Sequence, residues 1–238
     1  MIKFFRNIRY KSMENSKSSR YFKYAIGEII LVVIGILIAL QINNWNEANK
    51  EKVFEMKVLS ELYLDVKEDI KEMNNAIDSL QVSNSSNQLI LNQLSNRTIY
   101  HDSLDKHFAF ALRLWSLSPN ITSFEMAKEK GMYLIKNDSI RFRVAKANGY
   151  FFDYVKVLED RFQDYKSNVL LPYIIPLFHS YNFQSMKPRD YEALLDDKTF
   201  ESMIKTLIPM RARYMNLLEK RCKLVKDLEG MLKSEIDD

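Results

Sequence analysis

The feature that most constrains this chain is an uninterrupted apolar run at residues 29–40, reading IILVVIGILIAL. Widened to residues 25–42, the run is broken only by Glu28 and Gln41. Eighteen residues in a helix, at ~1.5 Å each, cover ~27 Å, about the thickness of a bilayer's hydrocarbon core. Tyr21, Phe22 and Tyr24 precede the run and Trp45 follows it, and amphipathic rings favour that headgroup depth. The pattern predicts a transmembrane helix over 24–45.

Charge gives the expected orientation. Residues 1–23 carry Lys3, Arg6, Arg9, Lys11, Lys17, Arg20 and Lys23 against Glu14, a net +6, whereas the whole chain is +4. Residues 47–238 are close to neutral at −1. Excess Lys and Arg marks the cytoplasmic flank, so the N-terminus is expected inside and everything beyond about residue 45 outside. The basic segment then suits anionic lipid headgroups better than nucleic acid. A cleaved leader wants small residues at alternating positions after its apolar core. Here residues 39–43 read ALQIN, and the single cysteine, Cys222, is far away. A retained anchor is the expectation.

The exported part, about 190 residues, is long enough for one domain with its own core. One cysteine excludes an internal disulfide. Only Gly131, Gly149 and Gly230 lie beyond the span, and all five prolines come after residue 118. So few turn residues argue against a many-stranded β fold. Leu59, Leu62, Val66, Ile70, Met73, Ile77 and Leu80 recur at a helical period, as one face of a long helix would. The fold class predicted is all-α, with one transmembrane helix continuing into an antiparallel helical bundle.

The expected divisions are a basic segment 1–23, the span 24–45, a stalk and bundle helix 46–82, and the rest of the bundle, 83–238. The run SNSSN at 83–87 is expected to break the first helix, because Ser and Asn side chains compete for backbone hydrogen bonds. The chain then returns from residues 89–94. Further helices are expected over 102–117 (Leu104, Phe108, Ala111, Leu112, Trp115 on one face, stopped by Pro119), from a capping box at Thr122 to Gly131, and over 139–170. A short one starts at Lys187-Pro188, and a last long one follows Asp197, bent by Pro209 and running to about Leu232.

Catalytic patterns are missing. There is no glycine-rich phosphate loop, no His-Glu-x-x-His and no glycine-flanked serine nucleophile. His101, Asp105 and His107 are the nearest approach to a metal set, and His107 falls off the face shared by the other two, so neither metal nor cofactor is expected. Glu61, Asp65, Asp69 and Glu72 stack at spacings of 4, 4 and 3 and form a candidate acidic partner surface. The aromatics from Tyr150 to Phe183 read as core before they read as a pocket. In the span, Gly35 and Ala39 form a small-xxx-small pair, and Glu28 is an ionisable residue near the cytoplasmic boundary. All three are candidate helix–helix contacts.

The opening MIKFFR, the stretch YAIGEIILVVIGILIALQINNWNE at 24–47 and GMYLIKN at 131–137 together resemble the bacterial domain-of-unknown-function family 6090. The likeness is long and specific at 24–47 and looser elsewhere. Ahead of Gly131 this chain carries Lys128-Glu-Lys, bulkier than the small polar lead-in usual in the family. The resemblance implies an inner-membrane protein of Gram-negative bacteria with a helical periplasmic domain, and it brings no functional residues. The functional expectation is an interaction or ligand-sensing domain without catalysis, partnered by lipid and by another protein or a second copy. A self-associating structural anchor is the alternative, and a membrane-tethered enzyme a more distant one.

Overall fold

Both long helices of this chain carry buried residues at alternating steps of three and four. Ten such positions in each define the seams around which the bundle is built. The structure, a computed structural model, describes residues 18–113, 120–180, 182 and 184–237. Helix α1 runs Ser18–Asn96, 79 residues. Its seam positions are Leu62, Val66, Asp69, Met73, Ala76, Leu80, Ser83, Asn87, Ile90 and Leu94, all buried. The last helix, α8 (Lys198–Asp237), buries Phe200, Ile204, Leu207, Arg211, Tyr214, Leu218, Arg221, Val225, Leu228 and Leu232. A repeat averaging 3.5 keeps one stripe of a helix facing its partner along its whole length. The Asn87 amide donates to the Ile204 carbonyl, and Arg221 pairs with Asp69, so the two helices run antiparallel.

Residues 83–87 therefore do not break the helix, contrary to the sequence expectation. Ser83 and Ser85 donate to the carbonyls of Ser79 and Gln81, one turn back, which satisfies each hydroxyl without opening the ladder. Ser83 and Asn87 also occupy seam positions. The seam keeps Leu62, Val66, Met73 and Leu80 of the predicted face and departs from it by one residue at two levels: Asp69 and Ala76 are buried, and Ile70 and Ile77 are half-buried.

The turn comes at Arg97, in the left-handed region at φ 50°. Arg97 N–H donates to Leu94 O and Thr98 N–H to Gln93 O, the paired bonds of a Schellman cap. The Arg97 guanidinium then meets both oxygens of Asp196 at 2.5 and 3.2 Å.

Six shorter α-helices complete the order among the described residues. Helix α2 is Leu104–Ala111, shorter than predicted, and Trp115, Leu117 and Pro119 lie outside the described residues. Helix α3 is Thr122–Lys130, closed at Gly131, whose φ of 110° is one that a residue with a Cβ rarely adopts. Asn137 caps the next helix by accepting from Ser139 and Ile140 N–H. That helix is continuous from α4 (Asp138–Ala145) through α5 (Phe151–Tyr165) to α6 (Leu171–Ile174), with wider π turns at Lys146–Tyr150 and Lys166–Leu170. Helix α7, Tyr191–Asp196, begins after Asp190, not at Lys187; Pro188 instead forms an isolated antiparallel bridge with Phe178. Asp197 caps α8 as expected, accepting from Thr199 and Phe200 N–H, and Pro209 lies within that helix.

The chain forms two compact units, Met1–Phe54 and Glu55–Asp238. In the second, an apolar cluster joins Ile90 and Leu94 to Phe108, Phe178, Phe200 and Ile204. The rings of Phe108 and Phe178 meet edge to face with centroids 5.3 Å apart. In the first, α1 contains the one described helix long and apolar enough to cross a membrane. Its apolar side chains face outward, Ile29 at 63% exposure and Leu31 at 64%. Most of the basic N-terminal segment lies outside the described residues.

Candidate functional site

The acidic row on α1 is two buried or half-buried carboxylates with dedicated partners, flanked by two others. Asp69 is 5% exposed and takes a 2.6 Å bond from Arg221 Nη2 on α8, itself 2% exposed. Arg221 also reaches Met73 Sδ at 3.4 Å and the Ala147 carbonyl at 3.4 Å, inside the first π turn. Burial raises the Asp69 carboxyl above its ordinary range; Arg221 and the Asn120 backbone N–H oppose that shift.

Asp65, one turn earlier and half-buried, accepts from the Asn120 amide at 2.8 Å and from Ser123 N–H at 3.3 Å. Ser123 is in the first turn of α3, where backbone N–H groups have no helical partner. The expected capping box at Thr122 does not form: no side chain at the N-cap closes α3. Asn120 Oδ1 accepts from Thr122 N–H, and a carboxylate 58 residues away accepts from Ser123 N–H, favoured by the positive end of the helix dipole. Two like charges one turn apart are thus offset by a guanidinium and a helix N-terminus. Glu61 is half-buried with Lys57 at 3.9 Å, and Glu72 is half-buried. The predicted acidic surface therefore needs correcting at Asp69, which faces the seam and is sealed there by its pairing with Arg221.

A second guanidinium lies deeper. Arg211 has no exposed surface and gives Nη2 to the carbonyls of Ala111 and Arg113, at 2.6 and 2.7 Å. Those carbonyls end α2, where the helix dipole is negative. Nε and Nη1 have no partner, and burial pushes the pKa down to about 10, still protonated at neutral pH.

The remaining polar arrangement is a cleft of about 600 Å³ between α1 and α2. Asp78, Gln81, Val82, Ser85, Ser86 and Leu89 line it from α1, and Lys106, His107 and Phe110 from α2. The buried Ser86 hydroxyl lies 3.2 Å from His107 Nδ1. Burial, and then Lys106, hold that imidazole below its usual pKa.

The other sequence candidates stay apart. His101 accepts from Ser103 N–H, the Asp105 carboxylate accepts from Tyr100, and His107 faces Ser86; no metal-binding group occurs among the described residues. Among the aromatics, Phe178 is core, Tyr173 donates to Asp197 and Tyr154 accepts from Arg213, while Tyr181 and Phe183 lie outside the described residues. Glu28, Gly35 and Ala39 are on exposed helix surface, and a Cβ at Gly35 would meet nothing within 4 Å. Arg211, Arg221 and the Ser86–His107 pair were not legible as sites, although both arginines stand at seam spacing in the sequence.

A family model described as a family of unknown function, DUF6090, matches residues 28–172. The chain belongs to this family. The match begins in the apolar run and ends in α6, so it takes in Asp65, Asp69, Ser86, His107 and the loop at Gly131. Arg211 and Arg221 fall beyond it, which leaves the partner of Asp69 outside the portion that defines DUF6090. No curated protein and no solved structure matches the chain.

Proposed function

We propose that this DUF6090 protein is a single-pass protein of the bacterial inner membrane. Its basic N-terminus is cytoplasmic, and Glu55–Asp238 is held in the periplasm as a binding domain without catalysis of its own. The observation that carries the reading is the outward apolar sleeve of α1: none of its most apolar window is buried. Uncovered, each such side chain would forgo ~1.5–3 kcal/mol of burial, and lipid is the cover that length and composition suit. The +6 of residues 1–23 supports the orientation. Binding is favoured over catalysis because the most buried charged side chains, Asp69, Arg211 and Arg221, are engaged in holding a helix end and the seam.

Cysteine labelling in spheroplasts tests this, in a Cys222→Ser background. Gln88→Cys, on exposed α1 surface, is expected to react with a membrane-impermeant maleimide before lysis, and Lys11→Cys only after it. The opposite order overturns the orientation, and release of the chain by alkaline carbonate overturns the span.

A self-associating anchor is the second reading, favoured by the open Gly35 and Ala39 surface. Cysteines at these positions are expected to form disulfide-linked dimers in membranes; if neither does, association through that face is excluded.

A further inference from the structure

We propose that the cleft between α1 and α2 binds a single-headed organic anion, a carboxylate carried on a short apolar body. The inference rests on reading Glu55–Asp238 as a binding domain and names the ligand class for it. The volume, about 600 Å³, is in the range of small-molecule sites. Its α1 wall is one helical stripe, with Asp78, Gln81 or Val82, Ser85 or Ser86, and Leu89 on successive turns. Val82, Leu89 and Phe110 supply the apolar surface, and Val82 remains 49% exposed.

The polar groups at the Ser86 level suit an anion. In the tautomer where Ser86 donates into Nδ1, the neutral His107 ring carries its proton on Nε2 and can donate it to a ligand. Lys106, next in the chain and exposed, adds a full positive charge to the same wall. Among the described residues no carboxylate pairs with it. Ser85 already donates to Gln81 O, so its oxygen is left as an acceptor. Asp78 sets the other limit. It lies eight residues before Ser86, ~12 Å along the helix, and repels a second anionic group on the same molecule. The combination selects one charge at one end and an apolar body shorter than that spacing.

The test uses the full chain in nanodiscs of zwitterionic lipid, with ¹³C-labelled histidines, titrated with hexanoate and, separately, with hexylammonium. His101 and His179, both exposed, serve as internal references. Hexanoate is expected to move the His107 resonance saturably at millimolar concentration, as befits so small a ligand, while hexylammonium leaves it in place. Lys106→Glu, a surface change that spares the core, is expected to weaken hexanoate by about tenfold. A hexanoate titration without a saturable His107 response overturns the proposal. So does a stronger response to hexylammonium, or an unchanged affinity in Lys106→Glu. Nanodisc binding is blind to orientation: normal hexanoate binding with reversed cysteine labelling would overturn the topology alone, and the converse pair would overturn this site alone.

Discussion

Replacing Arg221 with Met is expected to lower the stability of the bundle by about 3–5 kcal/mol, because it strands the Asp69 carboxylate in the seam without its counter-charge. The loss should depend on pH in a defined direction. Burial already raises the Asp69 pKa in the folded chain, and removing Arg221 takes away the main force pulling it back. A carboxyl with a raised folded pKa binds its proton more tightly in the native state than in the unfolded one. The variant is therefore least impaired below the unfolded value of 3.8, and it loses stability as pH rises from there through the raised folded pKa. Asp69→Leu with Arg221→Met together should return to within ~1 kcal/mol of the parent, since an apolar pair of similar volume needs no desolvation. Urea unfolding followed by circular dichroism, on the full chain in detergent at two pH values, checks all three statements. An Arg221→Met loss under about 1 kcal/mol would show that the pair contributes little.

The double variant also asks what the pair is for. Polar groups in an otherwise apolar heptad seam are poor stabilisers and good register markers. Asp69–Arg221 and Asn87–Ile204 O sit at separated levels of the α1–α8 seam, so a shift of one helix by a heptad would break both. If the apolar replacement is stable yet gives broadened or doubled signals in an NMR spectrum, register is what the charges supply.

Phe108→Ala should cost about 3–5 kcal/mol as well, by a different route. Phe108 is fully buried, and its ring centroid lies 5.3 Å from that of Phe178 and 6.2 Å from that of Phe200. Truncation removes the element that joins α2 to the loop before Pro188 and to the start of α8, and the cavity cannot close without moving two other rings. Phe108→Leu keeps most of the volume and should lose less than about 1.5 kcal/mol. The same urea experiment checks both; equal losses for Ala and Leu would mean that the site relaxes around the change.

Much of the architecture could be read from the chain because it rests on local chemistry. The cap at Asp197 and the close of α3 at Gly131 follow from side chains or φ preferences within a few residues. The missed features were non-local. At 83–87 the polar side chains suggested a break, but Ser83, Ser85, Ser86 and Asn87 found partners that leave the helix whole. Ile70 and Ile77 looked like core because isoleucine usually is; Asp69 took the inner position because Arg221, 152 residues away, was there to meet it. The signal for both buried arginines was present, since Arg211 and Arg221 complete an unbroken three-four series from Phe200 to Leu232. Reading them as core required knowing which carboxylate and which carbonyls would face them.

The sequence by itself determined that residues 25–42 form an apolar helix and that residues 46–238 are mainly helical, through an apolar run, a helical period and a shortage of turn residues. These are properties of neighbours along the chain. Only the tertiary structure decided which carboxylates are sealed, which arginines are core, and that Ser86 and His107 share a cleft. A buried charge survives only if its partner is placed against it, and that placement is set by the packing of α1, α2 and α8 across long stretches of sequence.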